Sequence, residues 1–163
     1  MKNKIIIISV LVLVIAISGC VNSDMESVNQ IIPKLNDNMK NGDLNFNLAV
    51  NGLNSYNTEI AKVKVHLAIE NFNNAKINIG DIQRTYKNLN NTNYITYIDL
   101  ISKELESKIN ASLDLQSAVQ TSSNELIFNR FVESANSYME TGFYYQDRRN
   151  TLVQNNPNLF IKK

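Results

Sequence analysis

The sequence has few of the residues that interrupt helices or crosslink a fold. It contains five glycines, two prolines, no tryptophan and a single cysteine, Cys20. One cysteine excludes an intrachain disulfide. The scarcity of glycine and proline, together with long stretches of helical periodicity, favours helices over a β-sandwich.

The chain also has no large excess of positive or negative charge. The chain has 16 lysines and arginines against 15 aspartates and glutamates. Removing the first 20 residues takes away Lys2 and Lys4 and leaves 14 basic against 15 acidic residues. A nucleic-acid-binding protein needs a basic excess to hold the phosphate backbone, so we do not expect nucleic acid as a partner.

The first 20 residues have the pattern of an export signal. Two lysines precede an apolar run over residues 5–17, which is interrupted by one serine and followed by small residues. A basic start, an apolar stretch of about 7–15 residues and small residues before the cut define a secretory signal. The run is shorter than the roughly 20 residues of a transmembrane helix. The sequence therefore predicts a signal peptide at residues 1–19, cleaved between Gly19 and Cys20.

The residues Ile17-Ser18-Gly19-Cys20 resemble the lipobox of prokaryotic lipoproteins, in which an aliphatic and two small residues precede cysteine. The resemblance covers only the first 20 residues. It implies that Cys20 becomes the mature N-terminus and carries fatty acyl chains such as palmitate, because two chains anchor a protein stably. It implies a cell-envelope protein anchored on the extracytoplasmic face of the cell membrane. The alternative is an uncleaved signal anchor with an incidental cysteine.

Behind the signal we predict a short tether, residues 20–23, a helical domain over residues 24–156 and a C-terminal tail, residues 157–163. About 140 residues are enough for one domain with a core. The tether after Cys20 spans at most about 10 Å, so the domain is expected to begin close to the membrane.

Apolar residues recur every three or four positions along most of this domain, which is the period of amphipathic and coiled-coil helices. We predict an all-α fold, an elongated antiparallel bundle of about four helices. The expected helices cover residues 24–40 with Pro33 inside, 43–89 as one long central helix, 94–120, and a last helix that ends at residues 155–157. The expected turns are at residues 41–43, 90–93 and 121–124. The core positions that this period predicts are Val28, Ile32, Leu35, Met39, Phe46, Ala49, Leu53, Tyr56, Ile60, Val63, Val65, Leu67, Ala68, Phe72, Ala75, Ile79, Ile82, Tyr86, Leu89, Ile98, Ile101, Leu105, Ile109, Leu113, Phe128, Phe131, Ala135, Tyr138, Gly142, Tyr145, Arg149 and Leu152.

Two local features of these helices leave alternatives open. Gly80-Asp81 is a candidate break in the central helix, but the apolar series continues through it in phase, so we favour a continuous helix. Ser122 or Ser123 is the expected N-cap of the last helix, and Glu125 makes a capping box with Ser122 feasible.

Candidate catalytic and metal-binding groups are few. His66 is the only histidine, and Glu70 lies one turn later on the same helix face. Because the chain has no Glu-x-x-His motif, we interpret the two as a surface pair and expect no metal. There is no glycine-rich phosphate loop, and we expect neither a cofactor nor an enzyme.

Acidic residues of the third helix are spread around it and are interpreted as its solvated face. These residues are Asp99, Glu104, Glu106 and Asp114.

Aromatic and basic residues are concentrated in the last helix, at residues 138–139, 143–145 and 148–149. They are interpreted as a wide stripe that packs against two neighbouring helices. The alternative is an exposed aromatic surface for a partner or an apolar ligand. Arg148 and Arg149 are candidates for pairing with acidic residues in the bundle, or for contacting anionic groups.

Two Asn-x-Ser/Thr sequences, at Asn90 and Asn110, match the N-glycosylation pattern. Asn90 is the better candidate because it lies in a predicted turn.

These features predict a non-catalytic, membrane-tethered module that binds a protein partner or scaffolds an envelope complex. Its apolar stripes can also pair between chains as a homo-oligomer. The alternative is a small-ligand-binding or sensory bundle, which needs a pocket with converging polar groups. The tyrosines considered for that pocket are Tyr56, Tyr86, Tyr138 and Tyr145.

Overall fold

A computed structural model of the protein describes residues 23–85 and 91–157. These residues contain no strand and form four α-helices: α1 (Ser23–Asn54), α2 (Thr58–Thr85), α3 (Thr92–Gln120) and α4 (Glu125–Asn155). The prediction of an all-α, four-helix bundle is confirmed. Because short connections join consecutive helices, neighbours in the chain run antiparallel.

The bundle consists of two helical hairpins. α1 packs mainly on α2, and α3 packs mainly on α4, while a smaller α2–α3 interface joins the hairpins. The core consists of aliphatic, alanine and aromatic side chains from all four helices. The most deeply buried large apolar side chains are Leu35, Val65, Phe72, Ile82, Ile101, Leu105 and Leu115.

The two ends of the bundle differ in the segments that they carry. Residues 55–57 and 121–124, which connect the helices within each hairpin, lie together at one end, called here the turn end. The opposite end, called the Ser23 end, holds the start of α1 and α3 and the end of α2 and α4. There the Asn93 side-chain amide donates to Asn156 Oδ1 at 3.0 Å. At 1.5 Å per residue, the 32 residues of α1 separate the ends by about 48 Å.

The predicted central helix over residues 43–89 is wrong, because the chain turns at residues 55–57. Residues 41–43, predicted as a turn, lie inside α1. Gly42 serves close packing there: a Cβ at this position would lie 2.4 Å from the Phe72 ring. The glycine therefore lets α1 approach α2 and does not bend the chain.

α1 ends in a Schellman motif. The Tyr56 N–H donates to the Leu53 carbonyl at 3.0 Å, and the Asn57 N–H donates to the Gly52 carbonyl at 2.8 Å. This pattern places one residue in the left-handed conformation, usually a glycine. Tyr56 takes that position, with φ of 56°.

The apolar series that predicts the central helix fails around this turn. Tyr56, Ile60 and Val63 belong to the predicted core, but they are 90%, 48% and 56% exposed. They keep the three-four spacing of α1 although the chain reverses between them. Leu113 and Tyr138 are also exposed, by 43% and 41%.

The predicted core positions of α2 between residues 65 and 82 are largely confirmed, whereas Tyr86 and Leu89 lie outside the described residues. The continuity of the helix at Gly80 is confirmed, because Gly80 lies inside α2. The buried residues among these positions are Val65, Ala68, Phe72, Ala75, Ile79 and Ile82. The predicted turn at residues 121–124 and the helix end near residue 155 are confirmed as well.

The N-cap of α4 is Asn124, whose side chain accepts from the Ile127 N–H at 3.3 Å. The prediction of Ser122 or Ser123 is therefore one or two residues early. Asparagine and serine are comparably good N-caps, so composition alone does not separate adjacent candidates.

Several predictions fall outside the described residues: the signal peptide over residues 1–19, the lipidation site Cys20 and the candidate glycosylation site Asn90. Within residues 23–85 and 91–157, none of the helices has the length and apolar character that a membrane crossing requires.

Candidate functional site

Charged and polar side chains form a cluster in the interior of the bundle. Asp43 comes from α1, Glu104 and Lys108 from α3, and Gln146 and Arg149 from α4; these five residues are 0–8% exposed. Together with Tyr97, they are called the buried charged cluster. Lysine, glutamate, arginine and aspartate are almost never fully buried unless they are paired.

Lys108 is the centre of the cluster. Its ammonium donates to Asp43 Oδ2 at 2.9 Å and to Gln146 Oε1 at 3.3 Å. Its Nζ also lies 2.9 Å from Asp43 Oδ1 and 2.9 Å from Glu104 Oε1. Those two oxygens accept no well-aligned hydrogen bond, so charge holds them near the ammonium. Oxygen atoms from three helices therefore surround one cation.

Glu104 lies between two cations. Its Oε1 faces Lys108, while its Oε2 accepts from Arg149 Nε at 3.1 Å. The Arg149 guanidinium lies 6.0 Å from the centre of the Tyr97 ring, within cation–π distance. With both acids ionised, the cluster contains two positive and two negative charges and is neutral.

Two aromatic rings and a glycine pack around the Lys108 side chain. The rings of Phe72 and Phe143 lie 6.0 Å and 5.7 Å from the ammonium. A Cβ at Gly142 would lie 3.0 Å from Lys108 Cγ, which is a tight contact. Glycine at this position of α4 therefore leaves room for the lysine to pass.

The pKa shifts follow from burial and from the neighbouring charges. Burial lowers the pKa of Lys108, but Glu104 and Asp43 outweigh it, and the pKa is raised. The pKa of Arg149 is raised because Glu104 and Tyr97 outweigh its burial. Burial raises the pKa of Asp43 more than Lys108 lowers it. The two cations therefore stay protonated at neutral pH.

Sequence reasoning finds only part of this cluster. Arg149 is predicted to face the interior and to be a candidate partner for an acid, and both are confirmed. The assignment of Glu104 to a solvated face is wrong, because this residue is fully buried between two cations. Asp43 is assigned to a turn, and Lys108 is missed. The available signal for Lys108 is its i,i+4 spacing from Glu104.

The other acidic residues of α3 match their assignment better. Asp99 and Glu106 are exposed, and Asp99 pairs with Lys103 at 2.7 Å. Asp114 is half-buried and accepts from the Ser134 hydroxyl at 2.6 Å.

The aromatic residues of α4 divide between the core and the surface. Met139 is buried and Phe143 packs partly against the core, as the wide-stripe interpretation predicts. Tyr144 is 54% exposed and its hydroxyl accepts from Arg148 at 2.9 Å. Tyr145 is half-buried and forms a T-shaped contact with Tyr144, with ring centres 5.4 Å apart.

The structure does not gather the remaining candidates into one site. Tyr56 and Tyr138 are both exposed and do not share a buried interior, and Tyr86 lies outside the described residues. His66 and Glu70 are exposed on α2. Within the part of the chain that the structure describes, no group of three histidine, cysteine, aspartate or glutamate side chains is placed to hold a metal ion.

The burial of the cluster limits what it can do. All its side chains are 0–8% exposed and lie between the helices. A buried ion pair contributes little net stability, but removal of one partner leaves an uncompensated charge and destabilises by about 3–5 kcal/mol. Such a cluster can enforce which helix faces meet.

Comparison of the chain with protein-family models, with curated proteins and with solved structures gives no match. Its function is therefore inferred from its own residues and geometry.

Proposed function

We propose that this chain is an extracytoplasmic, lipid-anchored lipoprotein whose helical bundle is a non-catalytic protein-binding or scaffold module of the cell envelope. The observation that carries the proposal is the lipobox-like sequence, which ends at Cys20, close to the start of α1 at Ser23. The intervening residues reach at most about 10 Å. An anchor on Cys20 therefore keeps the Ser23 end near the bilayer, and in an upright bundle the turn end lies about 48 Å away from that end.

The turn end has the properties of a contact surface. Large apolar side chains are exposed there on both hairpins. They are Tyr56, Ile60, Val63, Leu126 and Ile127, with exposures between 39% and 90%. A shallow, open surface depression lies at the start of α4 and is lined by residues 123–126 and Asn129. Single exposed apolar residues are ordinary, whereas a group at one end of a molecule supports an interaction site.

Tyr56 gives independent support. A bulky residue in the left-handed conformation is strained by about 1–2 kcal/mol relative to glycine. The side chain is 90% exposed, so little packing within the bundle offsets that strain. A tyrosine at this position therefore supports a role outside the bundle, and tyrosine is enriched among residues that dominate binding energy.

The orientation of the anchored bundle limits which kinds of molecule can contact the turn end. In that upright orientation the bilayer lies at the Ser23 end and does not cover the turn end. A second copy anchored in the same leaflet stands parallel to the first, and two turn ends that point the same way do not meet face to face. The proposed partner is therefore a different envelope protein with an apolar surface of its own. No observation favours the small-ligand alternative, which requires a polar-lined interior cavity.

Site-specific photocrosslinking in intact membranes tests this function. A photoreactive phenylalanine derivative replaces Tyr56 in the full-length chain, and the matched control replaces Tyr144, which is exposed on α4. The expected result is one discrete adduct from position 56, none from position 144, and loss of the adduct in Leu126→Ser. Intact mass measurement should show acylation of Cys20. An unacylated Cys20, or equal labelling at both positions, contradicts the proposal.

A further inference from the structure

A second stripe runs along α2, on a side of the helix that the bundle leaves exposed. The buried residues of α2, from Ala61 to Ile82, face the core at alternating intervals of four and three. Positions 60, 63, 67, 70, 74 and 77 alternate by three and four as well; Leu67 is half-buried and the other five are exposed. This is the a/d spacing of a coiled-coil seam, sustained for about two and a half heptads. These six positions are called here the outer seam.

The exposed apolar side chains of α2 are concentrated on the outer seam. The large apolar residues that this helix exposes are Ile60, Val63 and Ile77, at 48%, 56% and 60%, and all three occupy seam positions. Leu67 adds a fourth apolar group between them. Apolar residues scattered singly over a surface are ordinary, whereas an aligned set marks an interaction site. The spacing of this set fits another helix that lies alongside α2.

Polar residues in and beside the outer seam favour a parallel pair of identical helices. Asn74 occupies an a position, where asparagine fixes the register of a coiled coil. Glu59 and Lys64 occupy g and e positions, which face each other across a parallel, in-register dimer and therefore attract at both edges of the seam. The remaining g and e positions, 66, 71, 73 and 78, hold histidine or asparagine, so no like-charged pair of lysine or acidic side chains meets there.

Glu70 opposes the pairing. It occupies a d position of the outer seam, where the carboxylates of two copies lie close together and repel. A seam of this length with one repulsive layer gives a weak pair in dilute solution. Anchoring raises the local concentration of the chain, because two copies in one leaflet share a surface and a common orientation. The outer seam therefore suits pairing in a membrane.

We propose that two copies of this chain pair side by side in the membrane, with their α2 helices parallel along the outer seam. The inference rests on the proposed anchor at Cys20, which places both copies in the same leaflet and direction. Ile60 and Val63 then lie between the copies, while Tyr56 and the start of α4 stay beside them for the different envelope protein. Two anchors beneath one pair also hold both bundles upright.

Cysteine crosslinking in intact membranes tests this pairing, since Cys20 is the only cysteine of the chain and acylation blocks its thiol. Asn74→Cys in the full-length chain, treated with a short bismaleimide, should give an adduct of twice the chain mass. Position 74 faces itself only when the pair is parallel and in register. Lys76→Cys is the matched control, because residue 76 is also exposed but lies at a c position on the opposite flank of α2. It should give no adduct above that of the parent chain.

Two substitutions in the outer seam should shift the pairing in opposite directions. Ile77→Ser removes an apolar group from both copies and should weaken dimerisation at least about tenfold. Glu70→Leu removes the repulsion and adds apolar surface, so it should strengthen dimerisation by a similar factor. Crosslinking of the Asn74→Cys chain over a range of protein densities in the membrane measures both changes. Because both side chains are exposed in the single bundle, melting curves by circular dichroism should stay nearly unchanged.

The outcomes separate the inference from the proposed function. Acylated Cys20 without an adduct from position 74 overturns the pairing and leaves the anchor in place. Unacylated Cys20 with a specific adduct from position 74 supports the pairing and overturns the anchor. Equal adducts from positions 74 and 76 indicate random collision and overturn the outer seam. An adduct of another mass from position 74 shows that a different protein covers the seam, and it also overturns the pairing.

Discussion

The Lys108 ammonium lies 2.9 Å from both carboxylate oxygens of Asp43, although the two residues are 65 positions apart. The contact crosses the interior from α3 to α1 and so links the two hairpins directly. Elsewhere the hairpins meet mainly through α2 and α3. The stability of the whole bundle should therefore depend on this one side chain.

Replacing Lys108 with methionine should lower the free energy of unfolding by about 3–5 kcal/mol, because two buried carboxylates lose their shared cation. Urea denaturation followed by circular dichroism measures the change. Lys103→Met is the matched control on the same helix, since Lys103 forms an exposed i,i+4 pair with Asp99. Its urea midpoint should stay where it is; a similar loss in both variants would show that burial is not the cause.

Removing both partners should be less damaging than removing them one at a time. In the double variant Asp43→Leu/Lys108→Met, both charges of this pair are removed together. Neither residue is then left as a buried charge that faces an apolar replacement of its partner. The summed losses of the single variants should exceed the loss of the double variant by about 1–3 kcal/mol. Additive losses in this double-mutant cycle would mean that the two residues do not interact in solution.

The free energy of unfolding should depend on pH in a way that reflects the protonation of Asp43. Burial holds its pKa above the ordinary 3.8, so the folded state binds this proton more tightly than the unfolded chain does. The free energy of unfolding therefore falls as pH rises from the ordinary pKa to the raised one, and then levels off. Asp43→Asn should lack that fall. Urea denaturation of both proteins from acidic to neutral pH measures it, and parallel curves would refute the assignment.

Two glycines inside helices should respond oppositely to alanine. At Gly142, a Cβ would press on Lys108 at 3.0 Å, and the lysine is pinned at its tip, so Gly142→Ala should destabilise by about 1–3 kcal/mol. At Gly80, no atom lies within 4 Å of the added Cβ. Gly80→Ala should therefore stabilise by up to about 1 kcal/mol through helix propensity. Thermal unfolding of the two variants compares them directly.

Substitutions of Tyr56 should separate stability from binding. Tyr56→Gly relieves the left-handed strain and should stabilise the bundle by about 1 kcal/mol. Tyr56→Ala keeps the strain and removes the ring, so the stability should change little. If the tyrosine contacts a partner, neither variant should compete with the parent protein for that partner in a pull-down. Undiminished competition by either variant would remove the ring from the proposed surface.

Much of the fold follows from the period of the apolar residues, but the position of its first turn does not. Leu53, Tyr56 and Ile60 keep a three-four spacing across a chain reversal, so periodicity alone does not reveal the turn. The segment at residues 41–43 has turn-like composition, yet it lies inside α1, where Gly42 allows close packing against Phe72. Such outcomes depend on which helices face each other.

The buried charged cluster is a second feature that the sequence pattern alone does not predict. α3 contains two acid–lysine pairs at i,i+4, Asp99 with Lys103 and Glu104 with Lys108. In sequence they are equivalent. In the fold one pair is half-exposed to solvent and the other is enclosed, because the five-residue offset rotates the second pair toward α1 and α4. Only packing distinguishes a surface pair from a core pair.

The path of the Lys108–Asp43 contact also has a mechanical consequence. In a chain held at Cys20 and engaged at its turn end, tension enters the bundle through the first turn of α1. α1 then slides along its neighbours in shear, and Asp43 transfers part of the load to α3 through Lys108. The two hairpins then share the applied tension, so the bundle resists extension as one unit until its helices separate.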